Sequence, residues 1–440
     1  MLIRDSFRDR LALTLGLVWG LSMAPPLVAG TPVGQDFQVN TYTTGSQSIP
    51  GVAVDAAGNG VVVWYSEGSS GSDLSDRSIQ GQRIDAAGNR IGDEFQVNTY
   101  TTDSQALPRV SIGSTGDFVV VWNSVMGVDD RDIRAQVFDA TGTPTGAEIA
   151  VNTYTTGVQS GPTVAHGSSD FVVVWRSSAQ VQESGIQGRR FDTTGSPLGD
   201  EFPINTYTTG SQNRPAVARN SGGFVVVWDS QYSAGPDNDF SVQGQRFDAM
   251  GSPVGEEFQV NTYSTGYQLA PSIAVNEIGG FVVIWENLDE GIIDLDNSIQ
   301  GQLFDAAGNR VGGEFQITTN PSGLKRGAEV AFDPSGEFLV AWQSPGSTGT
   351  DPGVSIRARR FDALGSPVAE EFQVNTYTTG DQMLPAIGVD AQGNALVVWQ
   401  SDGSADTDTS GDSVQGRHLE KPLFADGFET GDTSAWSGGG

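Results

Sequence analysis

Seven tryptophans divide the chain into units of nearly constant length. Each ends an apolar run such as "FVVVW", "FVVIW" or "ALVVW", and the successive spacings are 58, 53, 53, 57, 57 and 57 residues. The positions are Trp64, Trp122, Trp175, Trp228, Trp285, Trp342 and Trp399. A regular period of this length is typical of repeat architectures such as propeller blades. The chain is therefore expected to fold as seven copies of one unit.

Each unit contains four segments with the pattern of a short β-strand. In the first unit these are "PGVAVD" at Pro50, the valine-rich run ending at Trp64, "SIQGQRID" at Ser78 and "EFQVN" at Glu94. The valine-rich run lacks polar alternation, which indicates an interior strand, whereas "EFQVN" alternates as a half-solvated outer strand does. We predict an all-β fold, a seven-bladed β-propeller of four-stranded antiparallel blades. A β-solenoid or a string of small sandwiches is the alternative.

The two ends of the repeat region are complementary. A fourth-type strand, "DFQVN" at Asp36, precedes the first complete unit, and the last unit ends on a third-type strand, "SVQGRHLE" at Ser413. The N-terminal strand is therefore expected to complete the last blade and close the ring, which protects a sheet edge. Residues 31–422 form the predicted propeller domain.

The repeats resemble those of large bacterial secreted and surface proteins. The consensus that carries the resemblance is "FVVVWxS…SIQGQRFDAxGxPxGxEFQVNTYTTGxQxxPxVA", and it covers about residues 35–420. Such repeats are common beside calcium-binding or adhesion modules, so the resemblance implies location and architecture more than activity. Residues 423–440, "LFADGFETGDTSAWSGGG", resemble the "FADGFESGDxSAW" segments that end many exported proteins of Gram-negative bacteria. A sorting tag and a disordered remnant are both compatible with this tail.

The N-terminus has the layout of a secretory signal peptide. Three arginines in "MLIRDSFRDR" precede the apolar run "LALTLGLVWGLSMAPPLVA", and small residues follow at Ala29 and Gly30. We expect residues 1–30 to be removed and the mature protein to be secreted or attached to the cell surface. A membrane anchor is the alternative, although Pro25 and Pro26 interrupt the apolar run. No later segment is apolar enough to span a membrane.

Composition restricts the partners. The chain has no cysteine, so neither disulfides nor thiolate chemistry contribute. Its formal charge is −30, and removing residues 1–29, with three Arg and two Asp, leaves −31. Such a surface repels nucleic acid and anionic membranes and suits calcium or neutral partners such as glycans. Solubility outside the cell explains the charge equally well. The mature chain is expected to act as a monomer.

One face of the predicted disc is the best candidate for binding. In an up-and-down blade the loops after the Trp strands emerge on the same face as the "NTYTTG" turns that begin at Asn40, Asn152, Asn205 and Asn375. The post-Trp loops are long, unequal and acidic, and a rigid scaffold often positions functional residues on such loops. A glycan or protein ligand is expected on this acidic face.

Calcium is a candidate cofactor for these loops. Carboxylates lie close together in "DND", "DLDN" and "DTD", and hard cations prefer oxygen ligands. The candidate metal ligands are Asp237, Asp239, Asp294, Asp296, Asp406 and Asp408. None of these loops matches a complete EF-hand. Solvated acidic loop tips have the same sequence pattern.

Two further groups are candidate binding residues. The tyrosines of the repeated turns, whose rings stack on sugars or peptides, are Tyr42, Tyr100, Tyr154, Tyr207, Tyr263 and Tyr377. Their regular recurrence also fits packing between blades, in which case the turn is a structural clasp. Lys325 and Arg326 depart from the consensus in the sixth unit, where other units place glutamine at the Lys325 position. These cations either bind an anionic substrate or pair with nearby carboxylates.

Residues for catalysis are scarce. The only histidines are His166 and His418, which leaves little material for a catalytic triad or a histidine-rich zinc site. Carboxylate-only glycoside hydrolysis needs just two acidic groups at the right separation. The sequence favours a binding or adhesion module. A polysaccharide hydrolase or lyase using carboxylates, and a purely structural surface protein, are the alternatives.

Overall fold

A computed structural model describes residues 32–421, except for 70, 74–75, 126–130, 181–182, 233–239, 264, 289–296, 322, 346–352, 405–406 and 409. The predicted signal peptide and the tail therefore lie outside the described residues. The described part is all-β and contains no helix, and so has no helix that is long and apolar enough to cross a membrane.

The strands follow one another along the chain with short connections. They are β1 (Pro32–Gln38), β2 (Gln47–Val54), β3 (Gly60–Glu67), β4 (Arg77–Ile84), β5 (Arg90–Gln96), β6 (Gln105–Ile112), β7 (Phe118–Val125), β8 (Arg131–Phe138), β9 (Ile149–Ala150), β10 (Val158–His166), β11 (Asp170–Gln180), β12 (Glu183–Asp192), β13 (Phe202–Pro203) and β14 (Gln212–Asn220). The second half consists of β15 (Gly223–Gln231), β16 (Phe240–Asp248), β17 (Pro253–Gln259), β18 (Tyr267–Val275), β19 (Phe281–Leu288), β20 (Asn297–Phe304), β21 (Arg310–Gln316), β22 (Arg326–Phe332), β23 (Phe338–Pro345), β24 (Val354–Phe361), β25 (Phe372–Gln373), β26 (Gln382–Val389), β27 (Ala395–Asp402) and β28 (Asp412–Leu419).

The strands pair into four-stranded antiparallel groups, as the sequence predicts. Five sheets have four strands each, with the orders β2-β3-β4-β5, β14-β15-β16-β17, β18-β19-β20-β21, β22-β23-β24-β25 and β1-β28-β27-β26. A sixth sheet has eight strands, in which β6 to β9 and β10 to β13 are each antiparallel. These two groups join through a single parallel contact between Val158 and Arg131. In every group the valine-rich strand occupies an interior position.

Hydrophobic cores lie between neighbouring sheets. Trp228, for example, packs with Val172 and Val174 of the preceding sheet, and all seven repeat tryptophans are at most 1% exposed. The indole Nε1 of Trp228 donates a hydrogen bond to Gln212 Oε1 at 3.0 Å, and the same Trp–Gln bond forms from Trp64, Trp122, Trp175 and Trp399. A buried indole N–H needs such an acceptor. The repeated tryptophan and glutamine are therefore core residues.

The outer strands differ in length. Strands β1, β5, β17 and β21 have seven residues each, whereas β9, β13 and β25 have two. Each seven-residue strand contains a glycine with a positive φ, such as Gly255 at 76°. At this glycine the pairing with the third strand is interrupted, and its conformation lets the strand pair on both sides of the interruption. In the segment that precedes the short strand β25 the matching residue is Ala369, whose Cβ disfavours that conformation.

The first and last sheets are in direct contact. Strand β1 pairs with β28, with Phe37 opposite Gly416, and β2 packs on β26. Buried side chains of the two sheets form one cluster that includes Val39, Trp64 and Val398. The first strands β2, β6, β10, β14, β18, β22 and β26 also contact one another in that order.

The repeated "NTYTTG" turn ties each sheet to the following one. Asn205 Oδ1 accepts the N–H of Ile186 at 2.7 Å, while the N–H and hydroxyl of Thr206 donate to Glu257 at 2.7 and 2.8 Å. Ile186 belongs to β12 and Glu257 to β17, so one turn links two sheets. In the other turns the backbone N–H groups donate to the carboxylates of Glu94, Glu148, Glu201, Glu314, Glu371 and, for the last turn, Asp36.

Replacing Glu257 by alanine is expected to lower the free energy of unfolding by about 1–2 kcal/mol. The change leaves the N–H groups of Thr206 and Tyr207 and the Thr206 hydroxyl without their charged acceptor. Urea denaturation of the purified protein measures the effect. Glu256→Ala is the matched control, because Glu256 is an exposed neighbour in the same strand. Equal midpoints for the two variants would contradict the role of the Glu257 contacts.

Candidate functional site: an inner cavity with one charged sector

A cavity of about 470 Å³ lies between the first strands of all the four-stranded groups. We call it the inner cavity. Each first strand contributes the residue at one equivalent position of the repeat to the cavity wall. Most of these residues are small. They are Gly51, Arg109, Thr163, Ala216, Ser272, Glu329 and Ala386. Only Arg109 and Glu329 are charged at this equivalent position. The other first strands have an uncharged residue there.

Each first strand carries a bulge just before the cavity wall. The pairing with the second strand shifts there, for example between Asn213 and Ala216. One residue of every bulge adopts a left-handed conformation, with φ between 47° and 62°. These residues are Ile49, Leu107, Gly161, Arg214, Ala270, Gly327 and Leu384. A bulge turns one backbone N–H away from its own ladder, so that group needs another acceptor.

In five cases the acceptor is the side chain that follows the repeat tryptophan of the preceding four-stranded group. Glu286 Oε1 accepts the N–H of Gly327 at 2.9 Å, and Gln343 Oε1 accepts that of Leu384 at 2.9 Å. Asn123, Asp229 and Gln400 hold the N–H groups of Gly161, Ala270 and Ile49 in the same way. This post-tryptophan position therefore has a structural role, which an amide or a carboxylate can fill.

The two other post-tryptophan residues do not fill this role. Tyr65 lies under the guanidinium of Arg77, 4.6 Å from the ring centre. Arg176 has only donors and therefore cannot accept the N–H of Arg214. The Arg176 side chain is half-buried, and its Nε atom is buried without a hydrogen-bond partner among the described residues. Burial lowers the pKa of Arg176, and the nearby charge of Asp229 raises it.

Two buried carboxyl groups follow in the next sheets. Asp229 is 0% exposed, and burial raises its pKa to about 6 against the opposing charge and hydrogen bond of Arg214. The Arg214 Nη1 to Asp229 Oδ1 distance is 3.2 Å. Burial also raises the pKa of Glu286 to about 7, while the Gly327 N–H, Arg214 and Arg326 lower it and Asp229 raises it. Both groups therefore hold their protons more tightly than exposed carboxyls do.

A third carboxyl group faces the inner cavity directly. Glu329 Oε2 accepts a hydrogen bond from the Ser272 hydroxyl at 2.9 Å, and both residues line the cavity. Burial raises the pKa of Glu329, and the charge of Arg109 lowers it. Because Arg109 comes from β6 and Glu329 from β22, the two charges face each other from separate strands.

The charged groups are therefore concentrated in consecutive sheets. We call them the charged sector, which consists of Arg176, Arg214, Asp229, Glu286, Arg326 and Glu329. Elsewhere the wall of the inner cavity is formed largely by small and apolar residues. Carboxyl groups with raised pKa values beside guanidinium groups can donate protons, accept protons and bind polar ligands.

The tyrosines predicted as binding residues are distributed around the molecule. Tyr100, Tyr154 and Tyr263 are 37%, 46% and 53% exposed. Tyr42, Tyr207 and Tyr377 are half-buried. Their backbone groups take part in the turns described above, for instance through the Tyr207 N–H on Glu257. They lie outside the wall of the inner cavity.

Lys325 and Arg326 have different surroundings. Lys325 is 0% exposed and occupies the position at which other units place the glutamine beside tryptophan. Its backbone is held by Asn297, whose Nδ2 donates to the Lys325 carbonyl at 2.6 Å. Arg326 is exposed, and its charge acts on Glu286. Only Arg326 of this pair therefore presents its side chain at the charged sector.

Of the predicted calcium ligands only Asp408 can be placed. Asp237, Asp239, Asp294, Asp296 and Asp406 lie outside the described residues. Asp408 is 0% exposed, and its Oδ2 accepts Asn40 Nδ2 at 2.8 Å. Asp73 and Asp132 hold Asn98 and Asn152 in the same way. No group of three or more His, Asp or Glu side chains that could hold a metal occurs within the described part of the chain.

Both histidines are held inside the fold. His166 Nε2 lies 3.1 Å from Asp117 Oδ2, and Nδ1 lies 2.6 Å from the Gly167 carbonyl oxygen. His418 stacks on Phe37 at 5.9 Å between ring centres, and burial lowers its pKa. Sequence reasoning missed Arg176, Arg214, Asp229, Glu286 and Glu329. Comparison of the residue after each tryptophan would have singled out Arg176, Asp229 and Glu286, but not Arg214 or Glu329.

No protein-family model and no curated protein matches the sequence. Among solved structures, a protein of unknown function from Dyadobacter fermentans matches with a TM-score of 0.53 and 12% identity, over 90% of this chain and 100% of that chain. An α-L-arabinanase from Penicillium chrysogenum, solved with arabinobiose, has a TM-score of 0.49 and 13% identity, over 88% and 99%. An α-L-arabinofuranosidase from Fusarium graminearum has a TM-score of 0.47 and 11% identity, over 88% and 98%. The first likeness shows the fold alone, and the other two assign no activity.

Proposed function

We propose that the protein is an extracellular seven-bladed β-propeller, closed by its N-terminal strand, that binds a glycan at the charged sector. The observation that carries this proposal is the grouping of arginine and carboxyl side chains in consecutive sheets beside one cavity. A repeat scaffold has no structural need for such a grouping, because other sheets fill the same positions with amides and small residues.

Several contacts support seven closed blades. The eight-stranded sheet divides into two four-stranded groups at its single parallel contact. Strand β1 completes the sheet of β26 to β28, and Asp36 of β1 receives the N–H groups of Thr376 and Tyr377. The last turn is thereby held as the other turns are. The contact between β2 and β26 joins the first blade to the last.

The chemistry of the charged sector favours a glycan over an apolar ligand. Sugar hydroxyls both donate and accept hydrogen bonds, and arginine, carboxyl and amide groups supply both functions. The inner cavity of about 470 Å³ is within the range of small-ligand sites, roughly 300–1,000 Å³. Among the large exposed apolar side chains of the described residues, Met250, Ile278 and Leu364 lie outside the cavity wall, and Leu384, 38% exposed, belongs to it. One such side chain is little apolar surface for a protein partner.

A glycoside hydrolase is the second candidate. It is favoured by the raised pKa values of Glu286, about 7, and of Glu329, because a general acid must hold its proton near neutral pH. Asp229 and Glu286 also carry a structural hydrogen bond to a neighbouring sheet, which argues for binding as their main role. Shortening of a bound glycan would distinguish the hydrolase from the binding protein.

Export and calcium binding belong to the same proposal. Export is supported by the three arginines and apolar run of residues 1–30 and by the resemblance to secreted and surface repeat proteins. Calcium is supported by the closely spaced carboxylates of the post-Trp loops. In the described residues such a loop aspartate binds an asparagine of the repeated turn, so calcium would use the remaining loop carboxylates.

The test is retention of the protein, without residues 1–30, on an array of bacterial and host polysaccharides in calcium and again in EDTA. We expect retention on one glycan class. Arg214→Ala should weaken it at least tenfold, because Arg214 is exposed in the charged sector. Arg83→Ala is the control. Arg83 lies near the C-terminal end of β4, at the end of the sheets opposite to the post-tryptophan residues, which we call the opposite face, and it binds the Thr141 carbonyl there. Loss in EDTA would add calcium to the account, and shortened glycan would favour the hydrolase. Absence of retention in both buffers would contradict glycan binding.

A further inference from the structure

Arg176 breaks a structural rule that the neighbouring sheets obey. Five of the side chains that follow a repeat tryptophan accept the N–H of a bulge in the next sheet. The guanidinium of Arg176 offers five donors and no acceptor, so it cannot do the same for Arg214. Its Nε–H group is buried without a hydrogen-bond acceptor among the described residues, which is costly. Packing and stability therefore leave Arg176 unexplained.

Arg214 brings a second guanidinium to the same place. It occupies the bulge position, where the other first strands have only isoleucine, leucine, alanine or glycine. Its φ of 47° is the left-handed conformation that every bulge of the first strands shares, and 56% of its side chain is exposed. The repeated bulge thus presents the Arg214 guanidinium to solvent.

Asp229 is the carboxylate that both arginines share. It pairs with Arg214 at 3.2 Å, and its charge acts on Arg176. Glu286 is a second carboxyl group whose charge acts on Arg214. The Arg214 side chain is nevertheless 56% exposed, and Arg176 Nε has no hydrogen-bond partner among the described residues. Both guanidinium groups therefore retain N–H donors for a further anion.

We propose that Arg176 and Arg214 bind the carboxylate of an acidic sugar, so that the glycan ligand is a uronate-containing polysaccharide. This inference rests on the proposed glycan-binding function. Two guanidinium groups fit a planar carboxylate, because each can donate two parallel N–H bonds to its oxygens. Arg109 lines the cavity with Glu329, and the charge of Arg326 acts on Glu286 in the charged sector. The two carboxyl groups provide acceptors for sugar hydroxyls.

The net charge of the protein does not prevent such binding. Charges separated by more than about 8 Å are largely screened at physiological ionic strength. A carboxylate in hydrogen-bond contact with the arginines is screened much less than charges at a distance are. The composition of the chain favours neutral partners, and the local arrangement of the charged sector favours one anionic group at a defined place.

The experiment compares polygalacturonate with the same polymer after reduction of its carboxylates to primary alcohols. The protein without residues 1–30 is titrated with each polymer, with galacturonic acid and with inorganic phosphate. Arg176→Gln is the decisive variant. Gln343 and Gln400 fill the same position in other sheets, so a glutamine can accept the Arg214 N–H without loss of fold. Arg83→Gln removes the same charge on the opposite face.

We expect polygalacturonate to bind and the reduced polymer to bind at least tenfold more weakly. Arg176→Gln should weaken the binding of polygalacturonate at least tenfold and should leave the urea midpoint unchanged or raised. Equal binding of both polymers, equal binding by Arg176→Gln, or binding of phosphate as strong as that of the sugar acid would overturn the inference. Retention of neutral glycans alone on the array would overturn it but leave the proposed function intact, whereas no retention of any glycan would contradict both.

Discussion

Removal of residues 1–40, compared with removal of residues 1–30, is expected to lower the free energy of unfolding by roughly 5 kcal/mol. The shorter chain loses the pairing of β1 with β28 and the contacts of Phe37 and the fully buried Val39. Burying two such side chains contributes about 1.5–3 kcal/mol each, before the lost hydrogen bonds are counted. The exposed edge of β28 should also promote self-association. Urea denaturation and sedimentation measure the two effects.

Two further measurements make this result specific. A synthetic peptide of residues 31–46 should restore the midpoint of the shorter chain, because it supplies the missing strand. Val39→Ala and Val260→Ala should each lower the free energy of unfolding by about 2 kcal/mol, because both valines are fully buried. They also occupy equivalent places, since the Val39 N–H donates to Val414 of β28 and the Val260 N–H donates to Val242 of β16. A shorter chain as stable as the longer one, or a neutral Val39→Ala beside a costly Val260→Ala, would contradict closure by β1.

Glu286→Gln is expected to stabilise the protein at pH 8 by about 2–3 kcal/mol and to have little effect at pH 4. The pKa of Glu286 is about 7 in the folded protein and 4.5 in its ordinary state. The folded state therefore binds the proton more tightly, and stability falls as the pH rises from about 4.5 to about 7. The full difference corresponds to about 3 kcal/mol. Glutamine avoids this cost and can still accept the Gly327 N–H, as Gln343 accepts that of Leu384.

The measurement is urea denaturation of both proteins at several pH values between 4 and 8. Glu286 faces Arg214 and Arg326, which favour its charged form, and Asp229, which opposes it. Glu256→Gln is the control, because Glu256 is exposed. A gain of equal size at pH 4 and pH 8 would contradict a buried, titrating Glu286. If the gain at pH 8 accompanies weaker glycan binding, the carboxyl group is kept for function at a cost in stability.

The sequence was sufficient to predict most of the fold. The valine-rich strands ending at Trp64 and its equivalents are interior strands, because continuous apolar runs require burial on both faces. The four strands of each unit and the pairing of the Asp36 segment with the Ser413 segment were also predicted correctly. These features repeat, and repetition makes a weak local pattern recognisable.

The charged sector could not be predicted in the same way. Its residues differ from those at the equivalent positions of the other units. Which side chains they contact depends on a bulge in each first strand, where the pairing with the second strand shifts. A shift of one residue reverses the direction of a side chain, so Arg214 and Glu329 could not be assigned to the cavity from alternation alone. The repeated tyrosines were predicted as binding residues because they recur. In this structure the repeated turns that contain them make contacts that stabilise the fold.

The measurement that tests the central claim most directly is the stoichiometry of glycan binding. Calorimetric titration of the protein, without residues 1–30, with a short oligosaccharide of the retained glycan gives the number of sites per chain. Binding at the charged sector predicts one site, which Arg176→Gln weakens and Arg83→Gln leaves unchanged. Six or seven equivalent sites, unaffected by Arg176→Gln, would contradict the account and would assign binding to the repeated tyrosine turns.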